Sequence, residues 1–330
     1  MCIRDSNDSG RTNRPFLPIL NARILCRTRA CSPRTNARSG WFGELSMLLR
    51  RADVVSLSYM AVYPALIAWQ WINGIEWPLY AIMLLMSVGL AVVQHNHTHL
   101  RMWSSNPLNR ATDLWLSVLQ ATPSFVFFPS HIGNHHRYKH GPEDETRTYR
   151  FGGHHNNIIG YILHPFQALF VLPGTLFGYI KKRAARRDFW PIIELSFIAV
   201  VTFVLATSDL RLWFVLIALP QMHGLHWLLG ANYLQHAGAD PGTGPDAAKD
   251  ESLAFSRNFT GLVNLVWFNI GYHTAHHENG RIHWSDLPQA HGDYVERVPA
   301  HLLEHSLSWY MVRVLVFGRG KSSPQPIKAG

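Results

Sequence analysis

Four long apolar runs constrain this chain more than any other feature. Val54–Ile72 carries no charge over 19 residues and has Trp69 and Trp71 near its end. At ~1.5 Å per residue that run spans about 28 Å, close to the ~30 Å hydrocarbon core of a bilayer. The turn Asn73-Gly74-Ile75-Glu76-Trp77 leads into a second run, Pro78–Val93. Phe189–Ala206 and Leu212–Leu229 form another pair around residues 207–211. Aromatic residues near run ends sit where a helix meets the membrane surface. A buried hairpin of a soluble protein explains one such run but not four. Charged residues agree, at 15% of the chain against roughly 25% in soluble domains. The reading is an all-α fold, a four-span integral membrane helical bundle.

Charge sets the expected orientation. Arg50 and Arg51 precede the first run, and Lys181, Lys182, Arg183, Arg186 and Arg187 precede the third. Both flanks are expected on the cytoplasmic side, with both termini. In a prokaryote that means the inner membrane. Ile158–Ile180 is apolar too, but it begins and ends between cytoplasmic features and contains His164-Pro165 and Pro173-Gly174. It is expected to be an interfacial or re-entrant helix rather than a fifth span. Residues 1–46 are read as a disordered or artefactual extension with Met47 as the true start, with an organelle transit peptide as the alternative for this Arg- and Ser-rich segment; 47–320 is read as one membrane domain, and 321–330 as a flexible tail. The net charge of +9 does not mark a nucleic-acid binder. Eight Arg against two Asp in the first forty residues give +6, and the 181–187 cluster adds +5, so the remainder sums to −2. Cys2, Cys26 and Cys31 all lie in the N-terminal segment, which leaves no disulfide framework and no thiolate metal site.

Histidine is the excess that carries chemistry, 20 residues, clustered at the ends of the apolar runs. His95 and His99 lie four apart, on one face of a helix, where both reach a single ion. His97 between them points elsewhere and is expected to pack or to support a ligand. A second cluster is His131, His135 and His136, with His140 four residues on. A third is His273, His276 and His277. Asn232 and His236 form another pair four apart at the end of the last run. Nine imidazoles are too many for one ion and suit two ions of about five ligands each. All-imidazole ligation suits iron, zinc, copper or nickel. Asp113, Asp144, Asp240 and Asp286 are candidates to orient ligand imidazoles through the second ring nitrogen, or, for Asp144 and Asp240 with His97 and His140, to add a ligand. His223 and His226 fall inside the last run, where polar groups are costly and usually functional; they are expected along a substrate tunnel.

These motifs carry a resemblance. HxxxH at 95–99, HxxxHH at 131–136 and HxxHH at 273–277, on four spans, resemble the membrane fatty acid desaturase–hydroxylase superfamily. Asn232…His236 is similar to the extra NxxxH element of its acyl-CoA desaturases, and Phe268–His277 to the third box of sphingolipid and bacterial acyl-lipid desaturases. The resemblance implies a cytoplasmic helical cap with a non-haem di-iron centre, dioxygen as co-substrate, and desaturation of a long-chain acyl lipid. It implies an external electron donor too, a ferredoxin or a b-type cytochrome with its reductase. The second box also resembles that of membrane alkane hydroxylases, so hydroxylation by the same centre is the alternative. A histidine-rich metal transporter is disfavoured, because it would place ionisable groups near the bilayer midplane.

Overall fold

The computed structural model describes residues 47–150, 156–240 and 253–318. The expected extension and tail, residues 1–46 and 321–330, lie outside them. Helix α1, Asp53–Asn73, turns at Gly74 and Glu76 into α2, Trp77–His99. Gly74 adopts φ +96°, a conformation other residues rarely take, which makes the three-residue turn possible. The second hairpin joins α5, Trp190–Ser208, to α6, Leu210–His236. Asp209 starts the return by accepting the Leu212 N–H (2.9 Å) on its side chain. α2 and α6 pack closely at Gly224, where an added Cβ would lie 2.7 Å from the Ser87 carbonyl oxygen. The two hairpins bring His95, His99 and His236 to the same end of the bundle.

By length and composition α2, α5, α6 and a 28-residue helix, α4, Ile158–Ala185, could each cross a membrane. α1 is long enough too, at 21 residues, and carries Tyr, Trp, Ser and Gln among its apolar residues. The contacts of α4 place it across the end of the bundle rather than through it. Near its start Asn157 and Tyr161 meet Tyr233 of α6. In its middle Gln167 donates to the Arg147 carbonyl (3.0 Å), and Thr175 to Glu145. Near its end Tyr179 stacks on Phe125 at 5.9 Å. Phe125 follows Ser124, whose hydroxyl accepts from Gln94 beside His95, so start, middle and end all touch the histidine end. Its other side exposes Ile159, Ile162, Leu163, Phe166, Leu169, Phe170 and Phe177. An apolar face three to four residues apart belongs against lipid.

One element was not foreseen. Helix α3, Asn106–Gln120, descends between the spans until Gln120 reaches the Ser87 carbonyl, turns at Ala121 and climbs back. It turns Asn109, Thr112, Asp113, Ser117 and Gln120 inward, an inverted amphipathicity. Those polar groups find partners there: Ser117 Oγ donates to the Asp113 carbonyl (2.6 Å), and Arg101 pairs with Asp113 (2.5 Å). The climbing limb is π-helical over Phe127–His135 and continues into His136–Tyr138. The cap is completed by α7, His273–Glu278, by α8, Leu287–Tyr294, and by two-residue strands Asn258–Phe259 and Leu303–Glu304, paired in parallel.

Candidate metal centre

The last turn of α2 presents His95 and His99 with ring centroids 4.8 Å apart. In an α-helix a residue five positions on would face about 140° away. The wider π-helical turn instead brings His136 beside His131, their Nε2 atoms 3.0 Å apart, and sends His135 to the other side. The second box thus splits between two groups. His95, His99, His131, His136 and His276 have ligand nitrogens within 4.8 Å of one another; so do His135, His236, His273 and His277. All nine histidines of the sequence reading fall into these two groups. The groups adjoin: His136 of one stacks on His277 of the other at 4.2 Å.

Hydrogen bonds alone do not account for the arrangement. His131 Nε2 faces His95 Nε2 at 2.7 Å and His136 Nε2 at 3.0 Å, and His136 Nε2 also faces His276 Nε2 at 3.0 Å. An imidazole nitrogen carries one proton or one lone pair, so it cannot satisfy two such neighbours. Nitrogens about 2.1 Å from a shared cation and at right angles lie about 3.0 Å apart, the spacing seen here. In the second group His236 and His277 Nε2 approach His273 Nε2 at 2.9 and 3.0 Å. His99 Nε2 and His135 Nε2 are buried with no hydrogen-bond partner among the described residues. The donor set fits two transition-metal ions. Burial first, then neighbouring imidazoles, hold His131, His136, His273, His276 and His277 well below the ordinary histidine range. They are neutral, with lone pairs available to a metal.

The other nitrogens are held in place. His135 Nδ1 donates to Asp144 (2.6 Å), and His236 Nδ1 donates to the Phe255 carbonyl (2.9 Å). Each bond fixes the tautomer that offers Nε2 to the site. Asp144 is brought there by a left-handed turn at Lys139 and His140, φ 41° and 68°. The His140 N–H and Thr146 hold that carboxylate in turn, and Lys139 is tied to Glu278 at the end of α7 (2.6 Å). Burial pushes Asp144 up, but His135, His140 and Thr146 outweigh it and hold the carboxyl below its usual range. His140 itself stacks on His236 at 5.1 Å.

Other expected residues lie elsewhere. His97 faces α3, 3.5 Å from Asp113, because it is two positions, about 200°, from His95 on α2. Asp240 is exposed and joins neither group: α6 ends at His236, so the spacing of four no longer implies a shared face. Asp286 pairs with Arg50 at the surface (3.5 Å). His223 and His226 do not line the cavity that meets the histidine groups. His223 meets Ser87 Oγ (3.1 Å) and His226 meets Tyr161, while Leu225, Leu228, Leu229 and Asn232 form the lining stripe three to four apart. That cavity, about 340 Å³, reaches His95, His131 and His273 at one end and is roofed by Pro165, Leu169, Leu172 and Leu176 of α4. Leu169 and Pro173 line it and are exposed as well, so it opens sideways along α4.

Two residues escaped the sequence reading. Gly280 backs directly onto His99, where a Cβ would lie 2.8 Å from Nδ1. His164 of α4 is buried with Nε2 3.1 Å from the Asn232 amide nitrogen. In the sequence His164 is part of a helix-breaking His-Pro pair, and neither contact leaves a spacing signal.

The family described as fatty acid desaturase matches residues 39–309. Over 202 residues the chain is 27% identical to a putative sphingolipid delta(4)-desaturase/C4-monooxygenase of Caenorhabditis elegans, covering 58% of this chain and 51% of the relative. Over 109 residues it is 31% identical to a sphingolipid delta(4)-desaturase of Komagataella phaffii, covering 32% and 28% respectively. The chain thus aligns with about half or less of these curated relatives.

Proposed function

This chain belongs to the fatty acid desaturase family, and from that premise we propose that it catalyses oxygen-dependent desaturation of a long acyl chain at a non-haem di-iron centre. The observation that carries the reading is the pair of convergent imidazole groups opening onto an apolar cavity of about 340 Å³. His95, His99, His131, His136 and His276 would hold one iron, and His135, His236, His273 and His277, with Asn232 as a weaker donor, the other. The chemistry two irons supply when bound is the reduction of dioxygen to an oxidant able to take hydrogen from an unactivated methylene. The balance is –CH₂–CH₂– plus dioxygen, two electrons and two protons, giving –CH=CH– and two waters. The electrons come from an external one-electron donor, a ferredoxin or b-type cytochrome with its reductase.

The protein's own residues hold and orient the chain. Leu172, Leu176, Leu225 and Leu229 exclude water and fix the tail along α4 and α6, so that one pair of methylenes stays beside His95, His131 and His273. Asp144 and the Phe255 carbonyl keep His135 and His236 pointed inward. The sideways opening suits a substrate already dissolved in the bilayer. The relatives act, by their names, on sphingolipids, which narrows the candidates to a long chain on a polar head.

Expression of the full chain with a suitable donor in a host of known lipid composition tests the reading by mass spectrometry. The expected product is a lipid lacking two hydrogens, absent with His135→Ala although the variant remains in the membrane. The name of the C. elegans relative supports one second reading, hydroxylation at the same site, which would add an oxygen instead. A chain loaded with two irons and supplied with electrons that forms neither product would overturn both.

A further inference from the structure

The two imidazole groups are unequal, five against four. Four residues before His236, on the same face of α6, stands Asn232, which lines the cavity with His273. Its carboxamide orientation is decided by its neighbours. The Thr146 carbonyl, 3.2 Å away, can only accept, so the atom facing it is the amide nitrogen. The same nitrogen lies 3.1 Å from His164 Nε2, which must then carry a lone pair. Both amide hydrogens are thereby used, one on Thr146 and one on His164, and only the carboxamide oxygen remains to be offered elsewhere.

The supports are themselves fixed. Thr146 Oγ1 reaches His135 Nδ1 (3.1 Å) and donates to Asp144 (2.8 Å), so a single residue braces both a ligand of the four-imidazole group and Asn232. Gln167, one turn after His164, ties α4 to the Arg147 carbonyl (3.0 Å) and sets how near His164 comes. The accepting Nε2 puts the His164 proton on Nδ1, which is buried with no partner among the described residues. An apolar side chain would fill this place without stranding an N–H, so packing alone does not explain an imidazole here.

We propose that His164 is a positioning residue for the four-imidazole centre: with Thr146 it takes both amide hydrogens of Asn232 and so leaves the carboxamide oxygen to serve as that centre's fifth donor. The inference rests on the di-iron reading and goes beyond it, because His164 belongs to none of the histidine clusters and lies on the membrane-facing helix.

The test uses the full-length protein, purified from membranes with ⁵⁷Fe, and reads iron per chain under a mild chelator together with the Mössbauer spectrum. His164→Phe removes the acceptor but keeps the bulk. It is expected to loosen the iron of the four-imidazole centre by about 10–100-fold, shifting one iron signal and sparing the other. His164→Gln, whose Oε1 can accept from Asn232, is expected to restore it. Asn232→Ala should match His164→Phe, and the double variant should add nothing, as expected of residues acting as one unit. His164→Phe with both irons held as in the wild type, or Phe and Gln variants behaving alike, would overturn the proposal while leaving the di-iron reading intact. A wild-type chain that never holds a second iron would overturn that reading, and this proposal with it.

Discussion

At the scale of single residues, the candidate centre depends as much on what is missing around its histidines as on the histidines themselves. Gly280 lets the chain pass against His99, and a methyl group there would meet His99 Nδ1 at 2.8 Å and His136 Cε1 at 3.5 Å. His99 cannot retreat freely, since His95, His131, His136 and His276 surround its ring at 4.5–5.1 Å. Gly280→Ala is therefore expected to displace His99 and cost the five-imidazole group about 10–100-fold in metal affinity. Competition with a chelator measures this, and iron held as tightly as in the wild type would show that the ring has room to move. The nine histidines were legible because they cluster in short motifs beside the apolar runs, although only the pairs 95/99 and 273/277 keep a spacing of four within one group. Gly280 and His164 were not, because each acts on a residue more than sixty positions away in the sequence. No local pattern announces such contacts.

At the scale of elements, the two helices that do not span the bundle differ in how they could be read. α4 showed itself by composition: two internal prolines, Pro165 and Pro173, and an apolar run lying between segments expected on one side of the membrane. α3 did not, because its polar face turns inward to Ser87, Ser124 and Glu194 instead of outward to water. The usual rule for a helix on a globular surface is inverted when the surroundings are lipid. α4 also roofs the cavity, which yields a prediction about chain length. Leu172 stands seven residues, about 10 Å of helix, beyond Pro165 along the roof. Leu172→Trp should fill part of the cavity and shift products toward shorter chains, with iron content unchanged. Supplying saturated chains of several lengths in competition measures the shift. An unaltered product distribution would place the acyl tail somewhere other than under α4.

For the molecule as a whole, the fold makes orientation a single yes-or-no question. The two hairpins share one end, so the histidine groups, Arg50, Arg51 and the basic stretch at the end of α4 stand together, opposite the tips at Asn73 and Asp209. Arg186 and Arg187 are exposed, and the tips carry only Arg211 as a basic residue. By the positive-inside rule, the excess of Lys and Arg predicts that the histidine end faces the cytoplasm. The native cysteines all lie in residues 1–31, so replacing them with serine leaves a clean background for labelling. In that background Arg186→Cys is expected to react with a membrane-impermeant maleimide only after the membrane is opened, whereas Asn73→Cys reacts in intact cells. The opposite pattern would reverse the orientation and place the metal centre on the outer side. Labelling of both positions from the same side would be the more serious result. It would mean that α1 and α2 do not bring Asn73 to the far side of the membrane from the basic stretch, and the shared end that gathers nine histidines would have to be rebuilt.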